Sequence, residues 1–217
     1  MTTQRNSCRG LTLIEVLIVI AMLTIALFGF ILPRMARAKV YPRHLRCQNQ
    51  LKYLTLSFRQ WALDNNDKYP MQVSIKNGGA MEWAEQGIAG PVFQVMSNEL
   101  NSPRLLVCPD DPVRTNFNGL TWILGSSNLS YFVAPDADET QPQMLLTGDS
   151  NLEIGGERVQ SGLVSLQTNR SVSWSVARHQ HGGNVGLSDG SVQGYTTAQF
   201  REALTNTGNW ENRIIVP

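Results

Sequence analysis

Charge is scarce in this sequence, and it is nearly balanced. The 217 residues include 18 Lys and Arg and 17 Asp and Glu, so 16% are charged and the formal net charge is +1. Proteins that bind nucleic acid through its phosphates carry an excess of Lys and Arg on one surface. No such basic surface is evident here, and we predict no nucleic-acid partner.

Sequence patterns of common catalytic and metal sites are also missing. Ser150 lacks a G-x-S-x-G elbow, and His179-Gln180-His181 with scattered aspartates is not by itself a zinc-binding spacing. Residues 64–70 are rich in oxygen ligands, which leaves calcium binding as an alternative, but they show no EF-hand spacing and a helix-ending turn explains them. We therefore expect no catalytic residue, no metal and no other cofactor.

One stretch of 22 residues, Leu11–Leu32, is apolar and holds Glu15 as its single charged residue. As a helix it would be roughly 33 Å long, enough to cross a hydrocarbon core of about 30 Å. A carboxylate at the centre of such a helix costs about 2.5 to 3.5 kcal/mol, and less near an end, so Glu15 calls for a cationic partner. Cleavage after Gly10 would supply one, because the new amine on Leu11 would lie four residues from Glu15 on the same helical face.

The string Arg9–Glu15 resembles the processing site of type IV prepilins and of type II secretion pseudopilins. In that family a prepilin peptidase cuts after the glycine and methylates the next residue, and the glutamate pairs with a neighbouring subunit during filament assembly. The resemblance implies these roles for Gly10, Leu11 and Glu15. It also implies a single-pass protein of the bacterial inner membrane with a periplasmic C-terminal domain, which reaches the filament or cell surface after assembly. Its partners would be the peptidase, other subunits and an inner-membrane assembly platform.

Two alternatives for this segment are a secretory signal ending at Ala36-Arg37-Ala38 and an ordinary uncleaved anchor. The apolar run is longer than a signal peptide's and contains Glu15, which favours the prepilin interpretation. The periplasmic topology follows from the resemblance and not from charge, because the basic residues after the run outnumber Arg5 and Arg9 before it. Those that follow are Arg34, Arg37, Lys39, Arg43 and Arg46.

Helical periodicity resumes after the apolar run, past Pro33 and Pro42. Apolar residues spaced by three and four trace one face, namely Cys47, Leu51, Leu54, Phe58 and Trp61. We predict a leader at 1–10, a transmembrane half-helix at 11–32, a packed half-helix at 33–64 and an exported globular domain at 65–217. The fold class is α+β, a pilin-like long N-terminal helix with a mainly antiparallel sheet.

Local signals in the globular domain predict several strands. Apolar runs at 105–108 and 144–147 indicate strands, and runs at 122–124 and 129–133 around a turn indicate a hairpin. Asp189-Gly190 between strand-forming residues predicts a tight hairpin. Thr196 or Thr197 begins a short helix, and residues 214–216 add a strand or help to bury the sheet.

Two cysteines, Cys47 and Cys108, remain if Cys8 leaves with the leader. Because exported domains lie in an oxidising compartment, a disulfide between them is one interpretation, and two buried free thiols are the other. A bridge closing about 60 residues would contribute roughly 3 to 4 kcal/mol by chain-entropy arguments. Nothing in their spacing indicates a metal or catalytic role.

A C-terminal pattern, His179 followed by nine residues and Asp189-Gly190, resembles a motif of a large group of prepilin-like proteins, many of them planctomycete or verrucomicrobial. Cys-Pro-Asp and Gly-Asp-x-Asn segments recur in that group and match residues 108–110 and 148–151; Ser191 departs from its usual large residue. We predict that Asp189 and Gly190 serve the turn and that the His179 ring bonds the backbone.

The leading hypothesis is a pilin or pseudopilin subunit without enzymatic activity. The first alternative is a membrane-tethered domain that binds a ligand or glycan and uses the prepilin targeting route. The second is a tethered hydrolase that uses His179 and Asp149, which requires both residues and a nucleophile or metal to converge in a pocket.

Overall fold

The computed structural model describes residues 12–28, 40–114 and 125–217, with the backbone alone for residues 40–44. The chain divides into two units, Met1–Pro42 and Arg43–Pro217. In the first unit, helix α1 spans Leu13–Ala26 and is capped by Thr12. None of the helices in the described ranges combines the length and the apolar character that a membrane span requires. Gly10 and Leu11 lie outside the described residues, as do residues 29–32 of the predicted span.

Helix α2 (Val40–Asp64) is the longest described element, and it carries the predicted apolar stripe. All five stripe residues are buried, from Cys47 to Trp61, which confirms the periodicity. A turn follows Asp64, where Asn66 and Asp67 adopt positive φ angles of 59° and 58°. The oxygen-rich residues at 64–70 thus form a helix-ending turn, as the sequence predicts.

Short helices fill the stretch after this turn, where the sequence carries mixed signals. They are α3 (Met81–Glu85), α4 (Ala89–Val95) and α5 (Ser97–Leu100), with 3₁₀ turns at Pro70–Gln72, Ile75–Asn77, Pro103–Leu106 and Ser126–Asn128. The strand predicted at 105–108 is wrong, because Pro103 opens a 3₁₀ turn that Ser102 caps by accepting a hydrogen bond from the Arg104 N–H at 3.4 Å. Leu106 and Cys108 are buried nevertheless.

Two sheets complete the second unit, and every strand pairing in the described ranges is antiparallel. The strands are β1 (Tyr131–Val133), β2 (Leu145–Asp149), β3 (Leu152–Ile154), β4 (Glu157–Arg158), β5 (Gly162–Gln167), β6 (Val172–Trp174), β7 (Gly182–Leu187), β8 (Val192–Thr196) and β9 (Glu211–Val216). The larger sheet has the order β5-β9-β1-β2-β7-β8 and the smaller β4-β3-β6. The α+β fold with a mainly antiparallel sheet is confirmed.

Helix α2 packs closely on strand β7. A Cβ atom on Gly186 would collide with the Thr55 methyl group, so glycine permits this approach. Thr55 Oγ1 also donates to the carbonyl of Gly190 at 3.2 Å, just past the end of the strand. These contacts hold the stripe of α2 against the sheet.

Three local predictions agree with the structure. The Asp189-Gly190 hairpin joins β7 and β8, and helix α6 (Thr197–Asn206) begins after the N-cap Thr196. The tail forms strand β9, which pairs with β1 and β5. In the hairpin predicted around residue 126, the first run lies outside the described residues, while the second run forms β1.

Candidate functional site

The carboxylate of Glu15 lies in the first turn of α1, where it closes a capping box. Glu15 Oε2 accepts hydrogen bonds from the backbone N–H and the hydroxyl of Thr12, both at 2.8 Å. In return, Thr12 Oγ1 accepts from the Glu15 N–H at 3.4 Å. The carboxylate is therefore held beside residue 12, the first described residue after the predicted cleavage position.

The apolar side chains of α1 are all exposed. Leu13, Ile14 and Ile25 have exposed fractions of 79%, 66% and 70%. A continuous apolar surface of this kind in water marks a site for membrane or protein interaction. The exposed apolar surface of α1 is therefore a candidate interaction site.

A second candidate site lies around the two cysteines of the globular unit. The structure joins Cys47 of α2 to Cys108 by a disulfide, with Cα atoms 5.5 Å apart. Both residues are buried. Cys108 follows the 3₁₀ turn and opens a β-turn in which the Asp111 N–H donates to its carbonyl at 3.0 Å. The disulfide thereby links α2 to the loop that carries the Cys-Pro-Asp segment.

His179 packs directly against this disulfide, and its side chain is fully buried. Its Nε2 atom lies 3.4 Å from Cys108 Sγ and 3.3 Å from Asp149 Oδ2. Its Nδ1 atom lies 3.4 Å from Asp110 Oδ2, which also accepts the His179 backbone N–H at 3.0 Å. The prediction of a ring-to-backbone bond did not include these two carboxylates and the sulfur.

The backbone around His179 is unusual. Three consecutive non-glycine residues, His179, Gln180 and His181, have φ angles of 50°, 54° and 67°. Such left-handed residues cost on the order of 1 to 3 kcal/mol each and persist where surrounding contacts determine them, often at functional sites. Here the contacts of the buried His179 ring hold the backbone in this conformation.

Asp149 ends strand β2 and is completely buried. Its Oδ2 atom accepts hydrogen bonds from the backbone N–H and the side-chain amide of Asn184, at 2.8 Å and 2.9 Å. Its Oδ1 atom lies 3.9 Å from Arg178 Nη1 and 3.8 Å from Cys47 Sγ. A buried carboxylate with charged partners and amide donors of this kind is satisfied as an ion.

Arg178 extends the hydrogen-bond network to Asp111 and Ser130. Its guanidinium lies 2.6 Å from Asp111 Oδ2 and donates to the carbonyl of Ser130 at 2.9 Å. The consecutive residues Arg178 and His179 thus bind the consecutive residues Asp111 and Asp110. This double pairing fixes the loop of Cys108 against the segment before β7.

Ser150, the hydroxyl considered for a hydrolase, faces cations. Its Oγ atom accepts hydrogen bonds from Arg114 at 3.0 Å and from Arg178 at 3.4 Å. A serine nucleophile needs a base in hydrogen-bond reach to take its proton, whereas these guanidinium groups are donors. The positions of Asp149 and His179 alone do not provide that arrangement.

Asp189 and Gly190 form the turn between β7 and β8 and are not part of the cluster. Asp189 Oδ1 accepts the Ser191 N–H at 2.8 Å, and Arg59 Nη1 donates to the Asp189 carbonyl at 3.0 Å. Gly190 has φ of 84°, which only glycine adopts readily. Of the His-x9-Asp-Gly pattern, His179 belongs to the cluster and Asp-Gly to the hairpin.

The cluster contains metal-ligand atoms as well as a disulfide. Ligand atoms of Cys47, Cys108, Asp149 and His179 all lie within 4.8 Å of one another. In the ranges that the structure describes, no other group of His, Cys, Asp and Glu is gathered closely enough to share an ion. Residues 64–70, the alternative calcium loop, do not form such a group.

Sequence reasoning missed Asp111, Tyr131, Arg178 and Asn184. Tyr131 Oη lies 3.2 Å from Cys47 Sγ and donates to Gln50 Oε1 at 3.2 Å. Burial, together with the charge of Asp149, raises the pKa of the Tyr131 hydroxyl well above its usual value. The available signal was adjacency, because Asp111 and Arg178 flank residues that the motifs had already singled out.

We expect the stability of the protein to depend on the charge of His179. Burial disfavours the charged ring, but the hydrogen bond and charge of Asp149, with the charge of Asp110, outweigh burial and raise the pKa of His179 above 6.5. Because the pKa is higher in the folded state, the charged ring contributes its full stabilisation below about pH 6.5. This contribution is lost as the pH rises through the folded-state pKa.

Urea unfolding of the full oxidised chain in nonionic detergent, at a series of pH values from about 6 upwards, measures this effect. His179→Asn is the reference, because Asn tolerates the left-handed backbone and does not titrate. The free-energy difference between the two proteins should shrink with rising pH. A difference that stays constant or grows contradicts the assignment.

Comparison with known proteins identifies the N-terminal segment. Residues 5–31 match the model of the prokaryotic N-terminal methylation motif. No curated protein and no solved structure matches the chain. The match does not reach His179–Gly190, so the C-terminal pattern stays a resemblance. The chain carries a prokaryotic N-terminal methylation motif of the type IV prepilin kind.

Proposed function

We propose that this protein is a pilin-like filament subunit of a type II secretion or type IV pilus-like system. The observation that carries the proposal is the methylation motif at residues 5–31, which supports processing by prepilin peptidase and membrane anchoring. The α+β fold, a helix followed by a mainly antiparallel sheet, is consistent with a pilin. We propose the filament, its assembly platform and the neighbouring subunits on this basis.

The chemistry of assembly follows from the position of Glu15. Cleavage after Gly10 would leave a methylated amine on Leu11. The carboxylate that now accepts from the Thr12 N–H and hydroxyl would then exchange these donors for the amine of a neighbouring subunit. A charge-assisted bond in an apolar surrounding is stronger than a neutral one. The exposed apolar side chains of α1 would pack in the filament core.

The first test is the N-terminus of the membrane-extracted protein, determined by mass spectrometry in cells with and without prepilin peptidase. The expected chain starts at methylated Leu11 when the peptidase is present and at Met1 when it is deleted. Thr12→Ala is a control next to the site and should be processed normally. A chain that starts at Met1 or Lys39 in the presence of the peptidase overturns the proposal, because Glu15 would then lack its partner.

A further inference from the structure

The ligand atoms around the disulfide are all of kinds that bind zinc. Two cysteine sulfurs, one imidazole nitrogen and one carboxylate oxygen lie within 4.8 Å of one another. Zn²⁺ is held by four such ligands in tetrahedral geometry. Thiolate sulfur and imidazole favour zinc over the hard cations calcium and magnesium, which prefer oxygen.

The ligands are also oriented by partners of their own, as in built metal sites. Asp110 Oδ2 lies 3.4 Å from His179 Nδ1, which leaves Nε2 directed at Cys108 Sγ and Asp149. A carboxylate on the far nitrogen is the usual arrangement for a zinc-binding histidine. Asn184 holds Asp149 by two hydrogen bonds of 2.8 Å and 2.9 Å. The two non-sulfur ligands are therefore positioned whether or not the cysteines are bonded.

Burial and charge favour a cation at this place. Cys47 and Asp149 are fully buried, and Cys108 has an exposed fraction of 1%. Zn²⁺ with two thiolates and one carboxylate has a formal charge of −1, and Arg178 Nη1 lies 3.9 Å from Asp149 Oδ1. Without a metal, two adjacent thiolates beside Asp149 would repel one another.

We propose that this cluster binds one Zn²⁺ ion when the Cys47–Cys108 disulfide is reduced. In the reduction a dithiol supplies two electrons and two protons, so that the protein disulfide becomes two thiols and the dithiol becomes a disulfide. Zn²⁺ then binds both sulfurs, His179 and Asp149, and the two thiol protons are released together with the Nε2 proton of the charged His179 ring. The same pair of cysteines thus ties α2 to the Asp110 loop by a disulfide under oxidising conditions and by a metal under reducing ones.

The test uses the full chain with Cys8→Ser, in detergent, so that Cys47 and Cys108 are its only cysteines. The disulfide is reduced by a phosphine, which takes oxygen from water and leaves as its oxide. After desalting, Zn²⁺ is added and bound metal is measured by mass spectrometry, with Co²⁺ absorption as a second readout. We expect one zinc per reduced chain, none in the oxidised chain, and the sulfur-to-cobalt bands of a tetrahedral site.

Two histidine variants make the assignment specific. His179→Asn should weaken zinc binding by at least about tenfold, since even outer-shell changes cost 10- to 100-fold. His181→Asn changes a neighbouring exposed histidine and should leave affinity unchanged. Circular dichroism of the oxidised variants shows whether each is folded. Zinc that is absent from the reduced chain, or held equally well by His179→Asn, overturns the proposal.

Discussion

We expect Glu15→Val to leave cleavage after Gly10 intact and to remove the protein from the proposed filaments. The valine matches the apolar side chains around it in α1, so neither insertion nor peptidase recognition of the preceding residues should suffer. The amine of Leu11 in a neighbouring subunit would, however, lie in an apolar core without a counter-charge. An unpaired charge in an apolar core costs about 2.5 to 3.5 kcal/mol. At about 1.4 kcal/mol for each tenfold change, this cost lowers incorporation by at least about tenfold.

Cell fractionation followed by quantification of the protein in sheared filaments measures the effect, and the N-terminal mass shows that processing is unchanged. Glu15→Gln keeps the size and an oxygen acceptor but loses the charge, so it should fail like valine if ion pairing is the cause. Thr12→Ala removes the partner of Glu15 in the capping box and should incorporate almost normally. Incorporation of the valine variant at the level of the unmodified protein would refute the assembly role.

Local features of the fold can be predicted from the sequence because interactions between residues close in the chain determine them. The apolar spacing of α2, the Asp-Gly hairpin and the Thr196 cap each depend on residues within one helical turn or one hairpin. The methylation motif is equally local, since glycine, glutamate and the apolar run are contiguous. Prediction and structure agree on the α2 spacing, the hairpin and the cap, and the family comparison supports the motif.

Elsewhere a local signal was outweighed. Residues 105–108 have the apolar run of a strand, but Ser102 and Pro103 start a 3₁₀ turn that determines the backbone instead. The run is buried in either conformation, so hydrophobicity alone could not distinguish the two. The short helices α3 to α5 likewise lack the length over which periodicity becomes informative.

The sequence suggested two pairs within the cluster, Cys47 with Cys108 and His179 with Asp149, but not the whole, because its members come from four distant segments. Cys47 and Cys108 are separated by 61 positions, and Asp149 and His179 lie further along the chain. Each motif indicated a local role, such as a turn for Cys-Pro-Asp. Their convergence depends on strand order, in which β2 pairs with β7 and thus brings Asp149 beside Asn184 and the residues that precede β7.

The cluster lies where helix α2 meets the loops and strands of the globular domain. Cys47 belongs to α2, the predicted packed half of the N-terminal helix, while its partners belong to the loops and strands of the globular domain. A covalent link or a metal at this point fixes the domain to the helix.

Asp149→Asn should strongly destabilise the globular unit. The single oxygen of the new amide can still accept from Asn184, but its N–H group then faces Arg178, and Arg178 and His179 lose a buried counter-charge. Removing one partner of a buried ion pair costs about 3 to 5 kcal/mol. Urea unfolding of the oxidised full chain at pH 7 in detergent, followed by tryptophan fluorescence, measures the loss.

Asp189→Asn is the matched control, because it makes the same chemical change at an exposed turn. An Asn side chain still accepts from the Ser191 N–H, and Asn-Gly suits a tight hairpin as well as Asp-Gly does. Its effect should stay within about 0.5 kcal/mol, as for surface substitutions in general. If the two variants lose similar stability, Asp149 is not the charged centre of the cluster, and the ligand geometry around Cys47 and Cys108 would need another explanation.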